Sequence, residues 1–335
     1  MGSLADELRE RKTLDDESLR ELLETGDDCL VEELHRNARE VATEQFGRVI
    51  WLRALIEWSN ICRNDCFYCG IRKSNRDIHR YSLPRETILE CCDNAWRLGV
   101  KTFVLQGGEN PNGAVALAPI VAEIRASWPE AAISLSLGEL PSDTYRLLRR
   151  SGANRYLLRH ETADPVHYAR LHPSSMKLEN RLACLRELRS LGYLTGMGMM
   201  VGCPWQTTGD LIADIRLIES FKPEMIGTGP FIPHHSTPLG HFPAGSPELT
   251  LRIYSILRLM LPKAWIPSTT ALATLMPDGR TAGILAGANV VMPNFTPVTV
   301  RDEYSLYEGK SRPGADAAET LNSLIKELDK IGYHV

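Results

Sequence analysis

From residue 49 onward, short apolar runs alternate with longer amphipathic ones, and this alternation limits the possible folds more sharply than any other property of the chain. "VIWLRALIEWS" precedes "PRETILECCDNAWRLG", "KTFVLQGGE" precedes "ALAPIVAEIRAS", and "AAISLSLGE" precedes "PSDTYRLLRRSG". The pattern continues through "NRYLLRHE", "YLTGMGMMVG" and "EMIGTGPFI", each followed by a helix-period segment, and ends with runs at "WIPSTTA" and "ANVVMPN". The runs are apolar enough to be strands covered on both faces, and the helical segments between them supply the crossovers that parallel strands need. Eight such units over roughly 250 residues predict an α/β fold, a (β/α)8 barrel of the TIM type. A doubly wound open sheet is the alternative. No linker-like stretch divides the units, so residues 48–335 are expected to form the barrel. Ahead of it, "CLVEELHRNAREVATEQFG" carries apolar residues at helical spacing until Gly47 stops them, and residues 1–47 are expected to form a helical cap.

Charge narrows the partners. Lys plus Arg number 38 against 42 for Asp plus Glu, a formal net charge of -4, with no basic run to suit nucleic acid or an anionic membrane. The first residues, "MGSLADELRERKTLDDESL", are polar and acidic where a secretory signal would be apolar, and no apolar run is long enough to span a bilayer. The expected location is the cytoplasm. In that reducing setting eight cysteines are not a disulfide framework. Cys29, Cys91, Cys92 and Cys184 fall in helix-like segments and, with Cys203, are expected to pack as small apolar residues.

Cys62, Cys66 and Cys69 are different. Their C-x3-C-x2-C spacing gathers three thiolates on one loop after the first predicted strand, at the mouth of a barrel. A structural zinc site takes four protein ligands; His79 is the nearest extra donor, and no second Cys or His pair completes the set. A 4Fe–4S cluster usually takes four cysteines as well. With three, one iron keeps an open position for a small molecule.

Polar residues just after the other strands are the remaining candidates. Gln106, Gly107, Gly108 and Glu109 close the second strand, where glycines permit close backbone approach and the carboxylate accepts from an ammonium. Ser134 and Ser136 share one face of the third strand, and strand alternation places Arg159 and Glu161 together after the fourth, with an internal ion pair as the plainer reading. Arg181 opens the next helix, where a surface arginine is the ordinary outcome. Met197, Met199 and Met200 are core residues or a soft wall against a ligand. Thr269 and Thr270 follow the seventh run, and Tyr304 and Tyr307 lie beyond the eighth; hydroxyls converging with an arginine suit a carboxylate or other anion. The irregular stretch 233–248, with His234 and His235, is long enough to serve as a lid.

The three cysteines, with Tyr68 before the last, resemble the signature of the radical S-adenosylmethionine (SAM) superfamily. "RHETADP", "SLSLGE", "GTGPFIPHHSTPL", "IPSTTA" and "GANVVMPN" extend the resemblance across nearly the whole chain, to the HydE family of FeFe-hydrogenase maturases related to biotin synthase. That resemblance implies one 4Fe–4S cluster on Cys62, Cys66 and Cys69, with SAM chelating its open iron. It implies that Tyr68, Gln106 to Glu109, Ser136, Glu161, Arg181 and Met199 hold SAM: Glu109 by its amine, Glu161 and Arg181 by its ribose and carboxylate. Arg159 aligns with a residue facing the substrate, beside Ser134, Thr269, Thr270, Tyr304 and Tyr307. The implied substrate is a cysteine-bound Fe(CO)2(CN) complex, and the implied partners are the maturases HydG and HydF. No cysteine follows Cys203, so a second cluster is not expected. Methylornithine synthase is the nearest enzymatic rival, and a non-catalytic iron–sulfur scaffold is a reading of another class.

Overall fold

The computed structural model describes residues 2–310 and 317–335, and in it the alternating runs become the staves of a closed barrel. Six parallel strands form its continuous part: β1 (Ala54–Ser59), β2 (Thr102–Gly107), β3 (Ala132–Ser136), β4 (Arg155–Leu157), β5 (Leu194–Met197) and β6 (Met225–Ile226). The seventh stave, β7, is residues 265–267, joined to β6 through Trp265 and to β8 (Val290–Val291) through Pro267. Closure comes from Phe295 N donating to Leu55 O at 2.7 Å and Leu55 N to Pro293 O at 2.9 Å. A closed ring leaves no sheet edge to protect.

β1 is buried at all six positions, as are the central residues of β2 and β3, which is why their sequences run continuously apolar rather than alternating. Cys91 and Cys92 lie in helix Arg85–Arg97 and Cys184 in helix Leu178–Ser190, on the outer layer. Cys29 departs from expectation. It sits in the first turn of its helix and is exposed rather than packed.

Three helices precede the barrel: α1 (Leu4–Arg11), α2 (Asp16–Glu24) and α3 (Asp28–Phe46). Each starts where a short polar side chain, Ser3, Asp15 or Asp27, accepts a first-turn N–H, a cap that contributes about 1 kcal/mol. Leu8, Leu19, Leu22 and Leu34 are fully buried and join the same apolar core as the barrel helices. Across that contact His35 Nδ1 meets Ser255 Oγ at 2.7 Å. Among the described residues no helix is long and apolar enough to cross a membrane.

Candidate functional site

The loop after β1 carries the three cysteines and is tied down from several sides. Arg63 N donates to Glu109 O (2.8 Å), Phe67 N to Leu171 O (2.9 Å) and Gly70 N to Leu306 O (2.8 Å). Arg80 donates from its guanidinium to the carbonyls of Asn60, Ile71, Arg72 and Asn75. All three thiols are half-buried, and burial pushes each upward, Cys69 to about 12, with the neighbouring Cys62 charge adding to it. Metal binding must therefore expel protons, so affinity rises with pH.

A single tetrahedral zinc ion draws its sulfurs to roughly 4 Å from one another, given Zn–S bonds near 2.3 Å. Among the described residues, three ligand atoms lie within 4.8 Å of one another at His234, His235 and Glu308, and not at the cysteines or His79. In a cluster each thiolate instead binds its own iron, so three thiols on one loop suffice for three of its four irons.

The Gly-Gly-Glu turn explains itself by contact. A Cβ on Gly108 would lie 2.5 Å from the Ile61 carbonyl oxygen and 2.8 Å from Cys62 Cβ; one on Gly107 would lie 2.5 Å from the Trp58 indole nitrogen. Only glycines let β2 end this close to the cysteine loop. Glu109 is buried there, accepting from Arg63 Nε at 2.8 Å and Glu139 N at 2.7 Å.

Beyond β4 the chain turns sharply. Glu161 has φ +69°, a left-handed conformation that non-glycine residues seldom adopt, so strand alternation is not what brings Arg159 and Glu161 together. They nevertheless approach to 2.9 Å, at an angle that leaves Glu161 Oε2 buried without a hydrogen-bond donor. That orphan acceptor fits a hydroxyl-bearing ligand. Arg181 is buried rather than on the surface, donating to Glu139 Oε1 at 2.6 Å and Arg159 O at 2.8 Å. Met199 is fully buried, pairs with Glu161 through the backbone, and its carbonyl accepts from Arg159 Nη2 at 2.9 Å.

The Tyr68 hydroxyl lies 3.2 Å from His172 Nε2, and His172 Nδ1 lies 3.0 Å from Tyr168 O. One neutral tautomer satisfies both: Nδ1–H donates and Nε2 accepts. Burial, followed by the charge of Arg181, lowers the imidazole from 6.5 to about 3. Between those values the unfolded chain binds the proton and the folded chain does not, so stability is full above pH 6.5 and is lost as pH falls toward 3. We expect a loss of about 2 kcal/mol between pH 7.5 and pH 5 from this one group. Urea unfolding at the two pH values should show it, with a smaller difference in His172→Gln; an equal difference in both proteins would refute the assignment.

Parallel register sets Glu57, Gln106 and Ser136 side by side in one layer, with Ser134 two residues further down β3. Gln106 Nε2 donates to the Tyr304 hydroxyl at 3.3 Å, while Lys310 pairs with Glu57 and donates to Tyr304 O. Thr269 ends its stave as an N-cap, accepting from Leu272 N and lying 3.2 Å from the Tyr254 hydroxyl; Thr270 starts the helix Thr270–Leu275. Arg159 acts electrostatically on both Tyr254 and Tyr307, so these groups share one neighbourhood. His234 Nδ1 accepts from Ser236 N at 3.2 Å and His235 Nδ1 sits 2.6 Å from Glu308 Oε2. Neither histidine reaches the cysteine loop as a ligand, although Gly70 packs against the His234 ring. Glu139 and His172, which the sequence did not single out as site residues, belong to the assembly as partners of Arg181 and Tyr68.

Residues 56–218 match the Radical SAM superfamily. The FeFe hydrogenase maturase subunit HydE of Thermotoga maritima is 44% identical over 302 residues, covering 90% of this chain and 86% of that protein. The 3-methylornithine synthase of Methanosarcina barkeri is 30% identical over 336 residues, 98% of this chain and 93% of its own length. In three dimensions the crystal structure of methylornithine synthase (PylB) superposes with a TM-score of 0.83 at 29% identity, covering 99% of this chain and 97% of that one.

Proposed function

The chain belongs to the HydE family of radical SAM enzymes, and from that premise we propose that it matures FeFe hydrogenase by acting on a cysteine-bound Fe(CO)2(CN) complex, a precursor of the H-cluster diiron subcluster. When bound, the 4Fe–4S cluster and SAM supply an electron and a 5′-deoxyadenosyl radical. The chain's own residues hold and orient these groups. Cys62, Cys66 and Cys69 are the cluster ligands; the glycines at 107 and 108 let the SAM amine approach the β2 backbone, and Glu109 accepts from it. Glu161 Oε2 accepts a ribose hydroxyl, and Arg181 counters the SAM carboxylate. Arg159, with Thr269 and Tyr307 nearby, is placed to hold an anionic iron complex. By this reading HydG supplies the substrate and HydF receives the product.

The observation that supports the reading is the half-buried Arg159: its charge acts on Tyr254 and Tyr307, while its carbonyl accepts from Arg181 and its guanidinium approaches Glu161 at 2.9 Å, two residues read as SAM contacts. It is tested by in-vitro hydrogenase maturation with this protein as the sole HydE. Activation is expected, and Arg159→Ala should lower it at least tenfold while the SAM dissociation constant changes less than threefold. Activation unaffected by Arg159→Ala, or loss of SAM affinity alone, would refute the substrate role. If SAM and dithionite release 5′-deoxyadenosine but no hydrogenase is activated, a mutase reaction is favoured; silence from a fully loaded cluster favours a scaffold.

A further inference from the structure

Two stretches far apart in sequence meet at the C-terminal mouth of the barrel: the irregular stretch 233–248, and the segment 303–310 beyond β8. Glu308 N donates to Pro233 O at 2.9 Å, which brings the imidazoles of His234 and His235 beside the Glu308 carboxylate. One ligand atom from each of the three lies within 4.8 Å of the other two, and His235 Nδ1 sits 2.6 Å from Glu308 Oε2. The backbone beneath these side chains is fixed. Asn60 Nδ2 donates to Glu303 O at 2.8 Å, and Lys310 pairs with the buried Glu57, so the segment is anchored at both ends. On the other side His234 O accepts from Thr237 N at 3.0 Å and Thr237 Oγ1 at 2.8 Å, and a Cβ on Gly240 would lie 2.4 Å from that oxygen. An exposed histidine–carboxylate pair alone is an ordinary surface contact. What sets this one apart is a third donor, the buried His234 ring, stacked on His235 with centroids 4.6 Å apart. Two imidazoles with one carboxylate suit zinc and its first-row neighbours rather than magnesium or calcium, which take oxygen ligands.

We propose that His234, His235 and Glu308 bind one divalent first-row transition ion of the zinc type, with solvent filling the remaining position, and that the ion fastens stretch 233–248 to the segment beyond β8. Bonds of about 2.0–2.2 Å draw tetrahedral nitrogen and oxygen ligands to roughly 3.3 Å from one another. The three donors must therefore close up. His235 and Glu308 are exposed and free to do so, while His234 stays buried. The two rings now lie 22° from parallel, so His235 turns out of the stack to point its nitrogen at the ion. The ion replaces the proton between His235 Nδ1 and Glu308 Oε2, which leaves to solvent. Both fastened stretches already touch the cysteine loop next to Cys69: Gly70 N donates to Leu306 O at 2.8 Å, and Gly70 packs against the His234 ring. An ion joining them stiffens the cover of that loop from outside, without being one of its ligands.

The test uses the full chain with its cluster reconstituted, so that the three cysteines are occupied, and Zn(II) alone as the probe. Calorimetric titration should show wild type binding one equivalent, and His235→Ala and Glu308→Gln should each bind it at least tenfold more weakly with iron content unchanged. X-ray absorption at the zinc edge should show nitrogen and oxygen neighbours. Hydrogen exchange reads the structural consequence: zinc should slow amide exchange across residues 234–242 at least fivefold in wild type and not in Glu308→Gln. No zinc uptake, equal affinity in wild type and both variants, or sulfur neighbours around the bound zinc would overturn the site. Zinc bound through these residues with exchange unchanged would overturn the fastening. None of these readouts requires SAM cleavage, so their failure is distinct from a failure of the radical SAM reading.

Discussion

Gly108→Ala is expected to strip the protein of its cluster while leaving the barrel folded. The new methyl would lie 2.5 Å from the Ile61 carbonyl oxygen and 2.8 Å from Cys62 Cβ. The first of these is backbone, so no side chain can swing aside to relieve it. The loop cannot retreat freely either, because Gly108 N donates to Ser59 O at 3.0 Å and Arg63 N to Glu109 O at 2.8 Å, clamping both sides of the contact. Overpacking of this sort costs about 1–3 kcal/mol, small against a barrel but concentrated on Cys62, a proposed cluster ligand. Iron and sulfide content after oxygen-free reconstitution should fall at least tenfold, with 5′-deoxyadenosine release falling in step and a melting temperature within about 5 °C of wild type. Gly99→Ala is the control: its φ of +84° gives an alanine backbone strain, unlike Gly108, but a methyl there would meet nothing within 4 Å, so iron content should stay as in wild type. A Gly108→Ala protein with a full iron complement and normal SAM cleavage would show that the close approach is not needed.

The contrast between these two glycines also marks what a sequence can disclose. The barrel was legible because each buried stave must be apolar over its whole length and each crossover must be amphipathic, and both patterns are local. The cysteine trio stood out for the same reason, since three thiols within one loop need no knowledge of tertiary contacts. What remained hidden is long-range. Arg181 meets Glu139 across 42 positions, Tyr68 meets His172 across 104, and Ala163 meets Asp214 across 51. None of these pairs leaves a spacing or periodicity to read. Helix position alone made Arg181 an ordinary surface residue, and only the resemblance set it at the site; its burial comes from Glu139 and the Arg159 carbonyl, both distant in sequence. The Arg159–Glu161 pairing was expected from strand alternation and occurs for another reason, because the strand has already ended and Glu161 has turned into the left-handed region.

That turn leads to the second large effect, at Asp214, which lies on the helix Thr208–Phe221 and is fully buried. Its Oδ1 accepts from Ala163 N at 2.6 Å and from His160 Nε2 at 3.0 Å. These two partners flank Glu161, so one carboxylate pins the chain on both sides of its left-handed residue. A left-handed non-glycine costs on the order of 1–3 kcal/mol and persists only where its surroundings hold it. Burial raises the Asp214 carboxyl, and His160 beside it acts in the opposite sense. Asp214→Ala leaves a buried amide and a buried imidazole without their acceptor, which should destabilise the protein by about 3–5 kcal/mol. Spread over a chain of this length, that is a fall of roughly 4–7 °C in melting temperature. Asp214→Asn keeps an oxygen for the Ala163 N–H and should cost about 1–2 kcal/mol. The functional consequence separates positioning from stability: well below the melting temperature, Asp214→Ala should bind its cluster normally but hold SAM at least tenfold more weakly, because Glu161 is free to leave its strained conformation. Asp214→Asn should restore most of that affinity. If the alanine variant binds SAM as wild type does, or if both variants lose affinity equally, Asp214 does not act through Glu161.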